Sequence, residues 1–447
     1  LDILTLLPQF GGLIWTLVAF VIALSLIVAI HEYGHYIVGR WSGIHADIFS
    51  LGFGPVLYAR TDKRGTVWQI AALPFGGYVK FRGDANAASA PDGAAVRDMS
   101  PEEKRSTMAG APLWARTATV AAGPIFNFVL AIAVFTAVGM TRGVAVDPLT
   151  VGEMRPLPQA TALQSGDVLV AIGGQAVPSF DEENAFDALI ESLPEAPNLT
   201  YTVERGGSRI ELDGPWLLPP VVTQLAPQSA AFSAGLEVGD VITAVDGTPI
   251  FAFSQLKERV EAGEGEPLAL TVWRQGETLD MTLAPRRVDE PQADGGFQTN
   301  WRIGIVGGMA FEPATMAPGF GEALWGGVIG TWDIMKGSVS GLWHMITGAI
   351  SSCNMSGPIG IAEVSGQMAS QGAMNFVYFI GVLSAAVGLL NLFPIPVLDG
   401  GHLVFYAYEA VTGKPPSDKV LRVLMTMGLV VILSLMAFAL TNDIFCP

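Results

Sequence analysis

His31 and His35 bracket Glu32 in a His-Glu-Tyr-Gly-His run, a spacing that suits a divalent metal. Two histidines four residues apart share one face of a helix, so both imidazoles can grip the same ion. Glu32 would stand beside that ion, ready to take a proton from water that zinc acidifies toward a pKa of about 7. The run ends an uninterrupted apolar stretch from Gly12 to Ile30. Ionisable groups at membrane depth are costly and mark functional sites. Two imidazoles do not complete a catalytic zinc site, which needs a third protein ligand and an open position for water. The remaining histidines are His45, His344 and His402. Asp399, three residues before His402 at the end of a later apolar segment, is the other candidate.

The elements that must position these groups follow from composition. The 447 residues are 50% hydrophobic and 15% charged, with mean hydropathy +0.44, which suits a chain that is part membrane protein and part soluble domain. A net charge of −17 argues against nucleic acid as a partner. Four segments of about 20 mostly apolar residues can cross a hydrocarbon core of roughly 30 Å. They run from Gly12 to about Gly39, Thr117 to Met140, Met374 to Phe393 and Leu421 to Leu440. No small-residue cleavage site follows the first, so it reads as a membrane helix and not a signal peptide. Residues 40–116 hold ten Lys/Arg against seven Asp/Glu, while residues 141–315 hold ten against twenty-five. The shorter, basic loop should be cytoplasmic, which puts the 141–372 region and both termini outside. Cys353 and Cys446 then share the oxidising side and could pair, although terminal residues fray and the reading favours two free thiols.

Residues 162–174 match residues 235–247 at an offset of 73: each has Gly-Asp, an apolar strand and a tight Gly turn. The pattern resembles a PDZ domain, present twice, and such domains bind extended peptides along a sheet edge. Ile303, Gly304 and Ile305 are candidates for the peptide groove of the second copy. Between residues 319 and 350, Trp325, Ile329, Trp332, Met335, Val339, Trp343 and Ile346 recur at three- and four-residue steps. That suits an amphipathic helix at the membrane interface. Val56–Arg60 and Thr66–Ile70 flank a polar turn and predict a β-hairpin that dips toward the bilayer. Its edge near Val67 and Gln69 could accept an unwound peptide as an added strand. Residues 84–110 read as a mobile loop.

Three motifs in this order resemble the site-2 protease family of intramembrane zinc metalloproteases: His31-Glu32-Tyr33-Gly34-His35, Gly123-Pro124-Ile125-Phe126-Asn127, and Asn391-x-x-Pro394-x-Pro396-x-Leu398-Asp399-Gly400-Gly401. The tandem repeat between the second and third membrane helices narrows the resemblance to the bacterial regulator of sigma-E protease group. It implies one Zn²⁺ per chain held by His31, His35 and Asp399, with Glu32 as catalytic base. It also implies that Asn391, Pro394, Pro396 and Asn127 serve the substrate region. The fold expected is a multi-pass α-helical membrane protein with a membrane-associated β-hairpin and two PDZ domains. Its segments are a first membrane helix (1–40), a hairpin and loop region (41–116), a second membrane helix (117–140), PDZ domains at 141–215 and 216–310, an interfacial helix region (311–372), a third membrane helix with its motif (373–402) and a fourth with the C-terminus (403–447). The family's place is the bacterial inner membrane, with PDZ domains in the periplasm and the active site toward the cytoplasm. Its substrates are single-span proteins, such as an anti-sigma factor already trimmed by a first protease, and remnant signal peptides. Two other classes compete: a PDZ-bearing adaptor with structural zinc, and a metal-ion transporter. Structural zinc is normally closed by four ligands, often cysteines, and neither Cys lies near the motifs. A transporter would leave the outer repeats without a role.

Overall fold

A computed structural model describes residues 3–84, 99–180, 182, 184–292 and 296–446. The chain forms two compact units. One comprises residues up to 138, 321–348 and 352 onward; the other comprises 139–320 with 349–351.

Among the described residues of the first unit, four helices are long and apolar enough to cross a membrane: Gly12–Trp41, Leu113–Arg142, Ala373–Asn391 and Lys419–Phe445. A helix satisfies its own backbone, which lipid cannot do. These spans lie within α1 (Ile3–Trp41), α2 (Leu113–Arg142), α5 (Ala373–Asn391) and α7 (Asp418–Phe445). Shorter or less apolar are α3 (Phe320–Ile346), α4 (Pro358–Ser370) and α6 (Asp399–Thr412). The sequence suggests that Asp399 closes the third membrane helix. Instead α5 stops at Asn391, residues 392–398 turn, and Asp399 opens the separate helix α6. The prolines explain the break, because Pro394 and Pro396 lack the N–H that a continuing helix needs.

Small residues let these helices approach. Ala19, Ala23 and Ile27 form a buried face of α1, and Ala23 and Ile27 pack with Ile380 of α5. On α3, Ala323, Gly327 and Thr331 are buried, while Trp325, Trp332 and Trp343 are exposed. A Cβ on Gly327 would lie 2.6 Å from Thr136 Oγ1 and 2.7 Å from the Ile132 carbonyl of α2. The recurrent tryptophans thus form the face turned away from α2.

The hairpin exists and is longer than the sequence suggests: β1 (Ala46–Thr61) pairs with β2 (Val67–Phe81), Thr61 opposite Val67 and Arg60 opposite Trp68. Residues Ile48 to Leu51 pair twice, with Val67 to Ile70 and with Lys80 to Gly77. Val67 to Ile70 therefore lie inside the sheet, and its outer strands are 56–61 and 77–81, where the Phe81 N–H is taken by Asp84. The edge expected at Val67 and Gln69 is already occupied by this chain. Of the loop expected at 84–110, residues 85–98 lie outside the described residues. Pro101–Arg105 form a short helix closed by a capping box between Ser100 and Glu103.

The disulfide corrects the expectation of free thiols: Cys353 is bonded to Cys446, their Cα atoms 5.6 Å apart. The end of α7 is held there for further reasons. Asn442 Nδ2 donates to the Ser352 carbonyl at 2.7 Å, and Asp443 accepts from the backbone N–H groups of Gly357 and Ile359.

The second unit contains the repeat as two four-stranded sheets of one topology. In the first, the spatial order is 175–176, 168–172, 198–205, 208–215; in the second it is 248–249, 241–245, 268–274, 277–283. Each has its own apolar core, around Tyr201 and Ile172 in one and Ile242 and Leu270 in the other. Ile303 is buried in the second core, the Gly304 carbonyl accepts from Ala226 N–H, and Ile305 pairs with Leu225. The candidate groove residues thus already use one backbone side within the fold.

Candidate metal centre

The two imidazoles meet on the inner face of α1, as their spacing predicts. His31 Nε2 and His35 Nε2 lie 3.1 Å apart. Asp399 Oδ2 approaches them at 3.2 and 3.5 Å, although it stands more than 360 residues away in sequence. The two histidine side chains are 11% exposed and that of Asp399 17%. Three lone-pair donors rarely crowd this closely without a proton or cation between them. The set of two imidazoles and one carboxylate is the donor chemistry of a catalytic zinc site. His402, the rival ligand, lies one turn further along α6 with its ring against Phe405 and does not belong to the cluster.

The neighbouring contacts leave both Nε2 atoms free for a metal. His35 Nδ1 donates to the Thr119 carbonyl of α2 at 2.9 Å, so its lone pair resides on Nε2. Asn127 of α2 lies with its amide nitrogen 3.2 Å from His31 Nδ1, while its Oδ1 is buried without a hydrogen-bond partner. Amide oxygen and nitrogen are assigned from such networks. Turning the amide lets Oδ1 accept from His31 Nδ1–H, which satisfies the oxygen and frees His31 Nε2. Asp399 Oδ2 is likewise buried without a hydrogen-bond partner. One cation at the three donors would resolve that atom too, so the residues present fit a metal.

Backbone close approaches make the geometry possible. A Cβ on Gly123 would sit 2.3 Å from His35 Nε2 and 2.8 Å from His31 Cε1, so only glycine leaves room for both rings. Cβ atoms on Gly400 and Gly401 would strike the carbonyl oxygens of Leu392 and Ile395 at 2.2 and 2.4 Å. The bend that presents Asp399 therefore requires that pair. Glu32 lies beside the Val79 backbone of β2 and close to His31, His35 and Asp399. A Cβ on Gly77 would lie 3.2 Å from Glu32 Cγ, so the sheet edge at 77–81 runs beside that carboxylate.

Of the residues expected near substrate, Asn127 faces His31, and Asn391 is the last residue of α5. Pro396 packs toward Gly428 of α7, and Pro394 is exposed in the turn before Asp399. Sequence reasoning missed the Thr119 carbonyl, the Val79 backbone beside Glu32 and the space made by Gly123. The first two carry no side-chain signal. The third had one, a Gly-Pro pair inside an otherwise apolar helix.

The model of peptidase family M50 matches residues 19–435. A relative in Agrobacterium fabrum, provisionally named a zinc metalloprotease, is 36% identical over 443 residues, 98% of each chain. One of the same description in Rhizobium meliloti is 37% identical over 433 residues, 96% of each chain. The regulator of sigma-E protease RseP of Salmonella typhimurium is 33% identical over 464 residues, covering 97% of this chain and 99% of the relative.

Proposed function

The chain belongs to peptidase family M50 and is an intramembrane metalloprotease, and we propose that His31, His35 and Asp399 hold one zinc ion beside Glu32, its catalytic base. The observation that carries this reading is the convergence of three donor atoms from two distant segments, one of them an orphaned carboxylate oxygen. Zinc bound there would acidify water and polarise the scissile carbonyl. Glu32, beside the Val79 backbone, takes the water's proton and delivers it to the departing amine. Thr119 and Asn127 fix the orientation of the two imidazoles.

A peptide bond within a substrate helix is shielded by its own hydrogen bonds, so the segment must unwind. The unwound backbone pairs with the outer edge at residues 77–80, which replaces the bonds lost. Asn391 at the end of α5, and Pro394 and Pro396 in the turn before Asp399, contact the same stretch. The basic 40–116 loop supports an orientation with the active site toward the cytoplasm and the sheet-rich unit in the periplasm. The repeated sheets act as PDZ domains, with the Ile303-Gly304-Ile305 segment in the second groove, and exclude substrates whose outer domain is intact. The relative named regulator of sigma-E protease supports a trimmed anti-sigma factor as one substrate class; remnant signal peptides are a second class in this proposal.

The test is cleavage of a trimmed and an untrimmed single-span substrate by the purified chain. The trimmed one should be cut, cutting should stop with a zinc chelator, and zinc should restore it. Chelator-resistant cleavage would refute the metal mechanism, and equal cutting of both substrates would refute the size filter.

A further inference from the structure

Asp399 and the two histidines come from different helices, so something must set α6 against the frame that holds the imidazoles. At its N-terminus the Gly400-Gly401 bend does this. Towards its other end, Glu409 receives a two-pronged ion pair from Arg116 of α2: Arg116 Nη2 to Oε1 at 2.6 Å and Nη1 to Oε2 at 3.0 Å. Arg116 Nε also donates to the Ala111 carbonyl at 3.1 Å, and the guanidinium lies over the Tyr406 ring, 5.2 Å from its centroid. The two side chains are only 14% and 17% exposed, so water screens them weakly. Arg116 stands one turn from Thr119, whose carbonyl holds His35, and α2 also carries Asn127 and Gly123. The pair therefore bolts the helix of the carboxylate to the helix that supports both imidazoles.

We propose that Arg116 and Glu409 are positioning residues that hold Asp399 at ligand distance from His31 and His35. The proposal rests on the zinc reading above. A helix of 14 residues is about 21 Å long, and one freed at its far end can pivot. Metal–ligand distances tolerate only about 0.2 Å, so a small pivot weakens the third bond.

The experiment uses the full chain in detergent, loaded with zinc, and follows release of zinc into excess pyridylazoresorcinol. Arg116→Gln and Glu409→Gln should each speed release about tenfold. Because the two residues act as one clamp, the double variant should release no faster than either single variant. Arg116→Lys, which keeps the charge without the fork, should fall between wild type and Arg116→Gln. Release at the wild-type rate in both single variants would overturn the proposal. So would independent effects that multiply to about a hundredfold in the double variant. A wild-type chain that binds no zinc would instead refute the metal reading itself.

Discussion

Asp240 in the sheet-rich unit and Asp399 in the membrane unit are both withdrawn from water, yet their oxygens are served differently. Asp240 Oδ1 accepts from Arg274 Nε at 2.6 Å, and its Oδ2 accepts from Arg274 Nη2 at 2.7 Å and Glu237 N–H at 2.9 Å. The first repeat copies this arrangement, with Arg205 Nε and Nη2 on Asp167 and Gln164 N–H as the third donor. Each arginine also reaches back to a carbonyl, Gly235 or Ala162. Such carboxylates are closed, with a fixed cation and a backbone donor, and nothing more can bind. Asp399 Oδ2 faces two imidazole nitrogens and no donor. A closed carboxylate stabilises a fold; an open one among lone pairs is a site for a cation. That difference separates the two aspartates, although both are withdrawn from water beside basic residues.

Two glycines give the largest contrast between the units. Gly123→Ala should abolish zinc binding and reduce cleavage by about three orders of magnitude, since its Cβ would occupy the space of both imidazoles. Gly239→Ala has open space around it but a φ of +99°, so it should cost only about 1–2 kcal/mol of stability and leave zinc untouched. Metal analysis and thermal melts of the two variants check both statements. A zinc-replete Gly123→Ala protein would break the account of the site.

Asn127→Ala comes next. Removing the partner of a metal-bound imidazole should weaken zinc affinity about 10- to 100-fold, measured by competition with a chelator of known affinity. An unchanged affinity would mean that the amide does not orient His31.

Asp240→Asn should leave zinc content unchanged and destabilise the sheet-rich unit by about 2–3 kcal/mol, because it leaves the arginine half-paired. The pH dependence of Asp167 has a definite sign. Hydrogen bonds from Arg205 hold its carboxyl below the ordinary carboxylate range. Its contribution to stability is therefore complete above the unfolded value of about 3.9 and is lost as pH falls through the lower folded value. Melts between pH 7 and pH 3 should show this loss only at the acid end, and an Asp167→Asn variant should lack it.

The smallest effect on zinc belongs to the disulfide. Cys353→Ser with Cys446→Ser should leave zinc and cleavage intact while lowering stability by up to about 4 kcal/mol, the entropy of closing a long loop. Thiol labelling of the denatured protein should find no free thiol before reduction and two after it.

The sequence reveals what depends on local spacing. The His-Glu-x-x-His run and the four apolar spans rest on spacing within one element, the repeat on a short run that recurs 73 residues later, and each has its counterpart in the fold. Distant pairing is less legible. Arg205 and Arg274 follow their aspartates by 38 and 34 residues, so the repeat offset does not mark them. The hairpin turn is evident from its polar residues, but the second pairing of Ile48 to Leu51 depends on a bend at Gly52. A Cβ there would sit 2.7 Å from the Leu73 carbonyl. The helix break before Asp399 is foreshadowed by its prolines, whereas the fold-back beneath Gly400 and Gly401 needs three dimensions to be seen. Cys353 and Cys446 reverse the expectation of frayed thiols because Asn442 and Asp443 anchor the end of α7.

The central claim is that Asp399 completes a zinc site in which Glu32 does the proton transfer. Its most direct measurement is zinc content together with cleavage of a trimmed substrate in Glu32→Gln, Asp399→Asn and His402→Ala. Glu32→Gln should keep its zinc and lose about 10³-fold in cleavage rate, Asp399→Asn should lose both, and His402→Ala should keep its zinc. A His402→Ala protein stripped of zinc beside a zinc-replete Asp399→Asn protein, or a Glu32→Gln protein that cuts at the wild-type rate, would contradict it.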